Sequence, residues 1–74
     1  MRVSEFWRAV SDEFGAYGAV VTNDLVLESL GDRTANQALA AGVAPYLVWL
    51  TLCEAADVPP SRRYGVGLPE PKRG

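Results

Sequence analysis

Residues Ala38–Cys53, reading ALAAGVAPYLVWLTLC, carry no charged side chain, and this run limits the possible folds more than any other part of the chain. It follows a helix-start signature at Thr34–Gln37 and precedes a helix-stop signature, Asp57-Val58-Pro59-Pro60. Gly42 and Pro45 interrupt it, whereas a bilayer span needs about 20 apolar residues in a row. The run therefore reads as two consecutive helices joined by a tight turn. The second is apolar around almost its whole circumference. The core, and any surface on which a partner docks, are expected there.

The chain has 74 residues, enough for one domain. A chain of this size buries only about 60% of its unfolded surface, so nearly every large apolar side chain is needed inside. The single Cys53 cannot pair within the chain, and His is absent. A reducing, cytoplasmic setting fits that composition. The opening Met1-Arg2-Val3-Ser4-Glu5-Phe6-Trp7 has an early acid and lacks the apolar run of about 7–15 residues found in signal peptides. Arg2 also stands where N-myristoylation needs glycine. No membrane association is expected.

Charge is distributed unevenly. Residues 1–32 carry two Arg against six acids, net −4, and residues 33–60 carry Arg33 against Glu54 and Asp57, net −1. Residues 61–74 carry Arg62, Arg63, Lys72 and Arg73 against Glu70, net +3. The body is thus acidic and only the tail is basic. Nucleic-acid phosphates are met by clustered Lys and Arg, so an acidic body disfavours that class of partner.

The elements follow from caps, stops and periodicity. Ser4 is a good N-cap side chain, and Val3, Phe6, Val10 and Phe14 recur on one helical face. A helix is predicted over 4–14, stopped by Gly15. Residues 16–29 suit an amphipathic helix kinked near Asn23, with Asp24 and Glu28 sharing a face. Val20-Val21-Thr22 and Leu25-Val26-Leu27 would also suit a strand, but no partner strand is evident, and an isolated pair is unstable. Gly31-Asp32 reads as a turn. Thr34 with Gln37 forms a capping box for a helix over 35–41 ending at Gly42. The last helix starts at Pro45, acceptable in a first turn, and ends near Ala56 before Pro59-Pro60. Residues 61–74 are rich in Pro and Gly and are expected to be a disordered tail.

Little in the chain points to catalysis. Without His the usual neutral-pH base is missing, and one Cys without His cannot build the usual zinc ligand set. Asp24 with Glu28, and Asp12 with Glu13, are paired carboxylates, but solvated faces explain them. Gly15-Ala16-Tyr17-Gly18 and Gly65-Val66-Gly67 lack the continuation of a phosphate loop. Cys53 lies in an apolar helix without an adjacent cation, which suits a buried structural thiol. No cofactor, no metal and no enzymatic activity are expected.

Two features remain. Ala38, Gly42, Val43 and Val48 give a helix-turn-helix-like corner. However, the second helix offers Tyr46, Leu47, Trp49, Leu50, Thr51 and Glu54, not the Arg, Lys, Asn or Gln that read base edges. On that helix, Val48, Trp49, Leu52, Cys53 and Ala56 share one broad face, while Leu47 and Leu50 fall on the side of Thr51 and Glu54. Either other segments wrap both sides, or the leucines are exposed and mark a partner or self-association site. Trp7 and Trp49 are core anchors or interface anchors on the same reasoning. Arg62-Arg63-Tyr64 and Pro71-Lys72-Arg73 are either solubilising or a linear motif for an acidic surface or nucleic acid.

Taken in order, Arg2-Val3-Ser4-Glu5-Phe6-Trp7, Gly31-Asp32-Arg33-Thr34 leading to Ala38-Leu39-Ala40-Ala41-Gly42, Pro45 with Val48-Trp49 and Cys53, and Val58-Pro59 resemble a family of short uncharacterised actinobacterial proteins. That family is a domain of unknown function whose members are often encoded near the recombinase RecA and its regulator RecX. The resemblance covers about residues 1–63 and implies no catalytic or binding residues. Members tend to place an acidic or polar residue before the proline. Ala44 stands there in this chain, which implies a fourth helix without a side-chain cap.

The expectation is an all-α domain over 1–60, a small bundle of three to four helices, with a flexible basic tail over 61–74. The leading function is a non-enzymatic cytoplasmic interaction module. Its candidate surface is Leu47, Leu50, Thr51 and Glu54, against an unknown protein partner or a second copy. The resemblance implies a link to DNA repair or recombination. The alternative is a helix-turn-helix-like nucleic-acid-binding or regulatory protein with Arg62 and Arg63 on phosphates.

Overall fold

Four α-helices and three short 3-10 turns make up the computed structural model, which describes residues 1–63. The helices are α1 (Val3–Phe14), α2 (Gly18–Asp24), α3 (Ala35–Ala40) and α4 (Pro45–Ala55). The 3-10 turns are Gly15–Tyr17, Glu28–Leu30 and Pro60–Arg62. The all-helical class expected from periodicity is what the chain adopts. Among the described residues there is no strand, only an isolated antiparallel bridge between Leu27 and Arg33.

Helix α1 starts one residue earlier than its Ser4 signal suggested. Arg2 occupies the cap position, and its backbone N–H donates to the Glu5 carboxylate at 2.7 Å. One face of α1 buries Phe6, Ala9 and Val10, and Gly15 ends the helix with φ +55°. Helix α3 is held at its start by the expected reciprocal cap. The Gln37 N–H donates to the Thr34 hydroxyl at 3.2 Å, and the Thr34 N–H donates to the Gln37 side-chain oxygen at 2.9 Å. Residues 41–44 turn the chain into α4, with Gly42 at φ +89°. Helix α4 opens on Pro45, and Ala44 gives it no side-chain cap.

Helix α4 lies against both α1 and α3 as well as the Glu28–Leu30 turn, and α2 bridges α1 and α3. Val48, Trp49, Leu52 and Cys53 point into the core. They meet Phe6 and Val10 of α1, Leu27 and Leu30 of the connecting segment, and Ala35 and Ala38 of α3. The Trp49 ring stands edge-to-face to Phe6 and to Phe14, with centroids 6.4 Å apart in each case. Such pairs are worth about 0.5–1.5 kcal/mol beyond the area they bury.

Two expectations need correction. The helix predicted over 16–29 stops at Asp24. Leu25 and Leu27 are extended, with ψ of 115° and 99°. The Leu27 N–H donates to the Arg33 carbonyl at 2.8 Å, and Gly31 and Asp32 close that loop with φ of +78° and +57°. Leu27 is buried and Val26 is exposed, as the opposite faces of an extended segment place them. The second correction concerns the tail boundary. Ser61–Arg63, expected in the flexible tail, belong to the body: the Arg62 N–H donates to the Pro59 carbonyl, and the Trp49 indole N–H donates to the Arg63 carbonyl. The rest of the predicted tail, 64–74, lies outside the described residues.

Candidate functional site

At about 100° per residue, Leu47, Thr51, Glu54 and Ala55 follow one another along one stripe of α4. Leu47 is 48% exposed and Glu54 is exposed. The Thr51 hydroxyl donates to the Leu47 carbonyl at 2.8 Å, which satisfies it within the helix. Leu50 sits to one side and packs against the core. The four residues singled out on sequence therefore separate. Leu47, Thr51 and Glu54 share the outward stripe, and Leu50 is largely a core side chain.

The other wall of the site is the segment that leaves helical conformation after Asp24. Leu25, Val26, Glu28 and Ser29 face Thr51, Glu54 and Ala55 of α4 across a groove of about 600 Å³. A second depression of about 390 Å³ is lined by Val20, Val21, Asp24, Leu25, Ala55 and Ala56. Leu25 and Ala55 line both. Val20 and Val26 are each about half exposed at their edges. The sequence reading misses this wall, because a helix over 16–29, kinked or not, leaves no extended segment after Asp24. The available signal was the apolar triplet Leu25-Val26-Leu27, in which only alternate residues can face the core of an extended segment.

Asp24 and Glu28 do not share a helical face, because the helix ends between them. Both stand in water along the groove, as does Glu54. Among the described residues the ion pair lies elsewhere: Arg62 Nε contacts Glu13 Oε1 at 3.2 Å. Arg63 Nε donates to the Val58 carbonyl at 2.8 Å. Both arginines proposed for phosphate contacts are thus engaged with the body, on the side of α1 and Trp49.

The two tryptophans also differ. Trp49 is buried, whereas Trp7 is 38% exposed and leans edge-on against Phe6 at 5.1 Å between centroids. Cys53 is buried in the core, and its thiol pKa is pushed up to about 12. Burial is the main cause. The Arg63 guanidinium opposes it, and the Glu13 carboxylate adds to it. A thiol held protonated in this way is a poor nucleophile. Among the described residues, no three His, Cys, Asp or Glu side chains gather where they could hold a metal ion. No helix there is long and apolar enough to cross a membrane. The groove has an apolar floor with carboxylates along its edges.

A small all-helical domain with an open groove beside its central helix is thus the class of protein that residues 1–63 form. The chain belongs to the DUF3046 family, proteins of unknown function, whose model matches residues 1–61. No curated protein and no solved structure matches it.

Proposed function

We propose that this protein is a non-enzymatic interaction module that docks another protein in the groove between α4 and residues 25–29. The observation that carries the reading is the pair of depressions that share Leu25 and Ala55, with half-exposed Val26 at the edge and half-exposed Leu47 one turn from Thr51 on the α4 stripe. Exposed apolar side chains beside a preformed groove are the usual anchors of helix-in-groove recognition. Each could bury its side chain on a partner for about 1.5–3 kcal/mol. The same reading places the protein in the cytoplasm. It also places it near DNA repair or recombination, through the gene neighbourhood that the family resemblance implies. The nucleic-acid alternative has less support, since α4 carries no Lys or Arg and Arg62 and Arg63 already have partners in the body.

The test is co-purification from the native cell. Val26→Ser with Leu47→Ser alters two half-exposed side chains and spares Leu50. The double variant should keep its helical spectrum and melting temperature and lose its partner. A folded double variant that retains every wild-type partner contradicts the reading.

A further inference from the structure

The groove is selective in charge as well as shape. Leu25, Val26 and Ala55 supply apolar surface, and every charged residue lining the two depressions is an acid: Asp24, Glu28 and Glu54. None of the three is in an ion pair among the described residues. Each depression falls in the size range of binding pockets, ~300–1,000 Å³, and Leu25 and Ala55 belong to both.

We propose that the groove takes a basic amphipathic helix of another protein, its apolar side on Leu25, Val26 and Ala55 and its Lys or Arg side chains over Asp24, Glu28 and Glu54. This rests on the docking reading above and adds the chemistry of the partner. A second copy of this chain is a poor occupant. Two-fold pairing through this face would set the same acids against one another, and like charges across an interface oppose association. Phosphate-rich partners, whether nucleic acid or an anionic bilayer, meet the same repulsion. A cationic helix gains from all three carboxylates and from the apolar floor together. The carboxylates stand at the water-exposed edge, so their attraction is screened by salt.

The test is an NMR titration of the full chain with two synthetic peptides of about 18 residues, long enough to form a helix. Both carry Leu at i, i+3, i+4 and i+7; one has Lys on the opposite face, the other Glu. The Lys peptide should move the amide signals of Leu25, Val26, Thr51 and Ala55 saturably. The Glu peptide should bind at least about tenfold more weakly, the sum expected from three exposed charge pairs. Asp24→Asn, Glu28→Gln and Glu54→Gln together should weaken the Lys peptide by about the same factor. Glu5→Gln, Ser11→Lys and Asp12→Asn, an equal charge change on α1, none of whose residues lines the groove, should leave it within about twofold. The wild-type comparison of the two peptides stands by itself if either triple variant misfolds.

Equal binding of both peptides in the groove overturns the charge preference and leaves the docking reading intact. Equal losses in the two triple variants would reduce the effect to net charge and overturn it as well. No groove shifts with either peptide at millimolar concentration overturns the proposal, while the docking reading is judged by the Val26→Ser/Leu47→Ser co-purification.

Discussion

Gly18 begins α2 where α1 and α2 pass close together. A Cβ there would come within 2.9 Å of Val10 Cγ1, closer than such atoms approach. Valine is stiff about χ1, so the methyl cannot swing clear. Gly18→Ala should therefore destabilise the protein by about 1–3 kcal/mol, as overpacking does, although alanine is the better helix former by about 1 kcal/mol. In a Val10→Ala background the same change should be neutral or stabilising. Urea denaturation of the four members of that cycle checks the coupling. Additive effects would contradict the close approach.

Cys53 gives a pH dependence of definite sign. Folding raises its pKa from 9.0 to about 12. Between those values the unfolded chain has lost the thiol proton and the folded chain has kept it. Stability from this group is thus fully present below about pH 9 and falls as pH rises toward about 12. Urea midpoints measured from about pH 8 to 11 should decline more steeply for the wild type than for Cys53→Ala, in which that proton is gone. Parallel declines would contradict a buried thiol.

At the scale of elements, α3 spans only Ala35–Ala40 and is far too short to stand alone. Its reciprocal Thr34–Gln37 cap and its packing between α2 and α4 hold it. Thr34→Ala should cost about 1 kcal/mol and raise amide exchange first in residues 35–40, which hydrogen exchange with mass spectrometry can resolve. The helices α1, α3 and α4 were legible in the sequence because each has a local stop or cap and a 3.6-residue pattern. Residues 25–33 were not. Their extended stretch pairs with the chain six residues on, through a loop that needs two consecutive positive φ values. Gly31-Asp32 announces a turn without announcing what it brings together. The α4 wall of the site was therefore readable, and the facing wall was not. The Arg62–Glu13 contact, 49 residues apart, is equally non-local: the tail's charge could be read, but not the acid it would find.

For the whole molecule, one helix serves two purposes. The inward side of α4 carries Val48, Trp49, Leu52 and Cys53 into the core, while its outward stripe forms one wall of the groove. In a domain this small, about one or two kcal/mol is a large share of total stability, so a docking site must be built from side chains the core does not need. Leu47 and Val26, about half exposed, meet that condition and Leu50 does not. On the proposed docking reading, that is the use of the apolar residues the core does not consume.

The most direct measurement of that division is site-specific photo-crosslinking in the native cell. A crosslinking side chain placed at Leu47 or at Val26 should yield a discrete adduct with a partner protein. The same group at exposed Arg8 on α1 should yield none. An adduct at Arg8 without adducts at Leu47 and Val26 would contradict the account and move the interaction surface to α1.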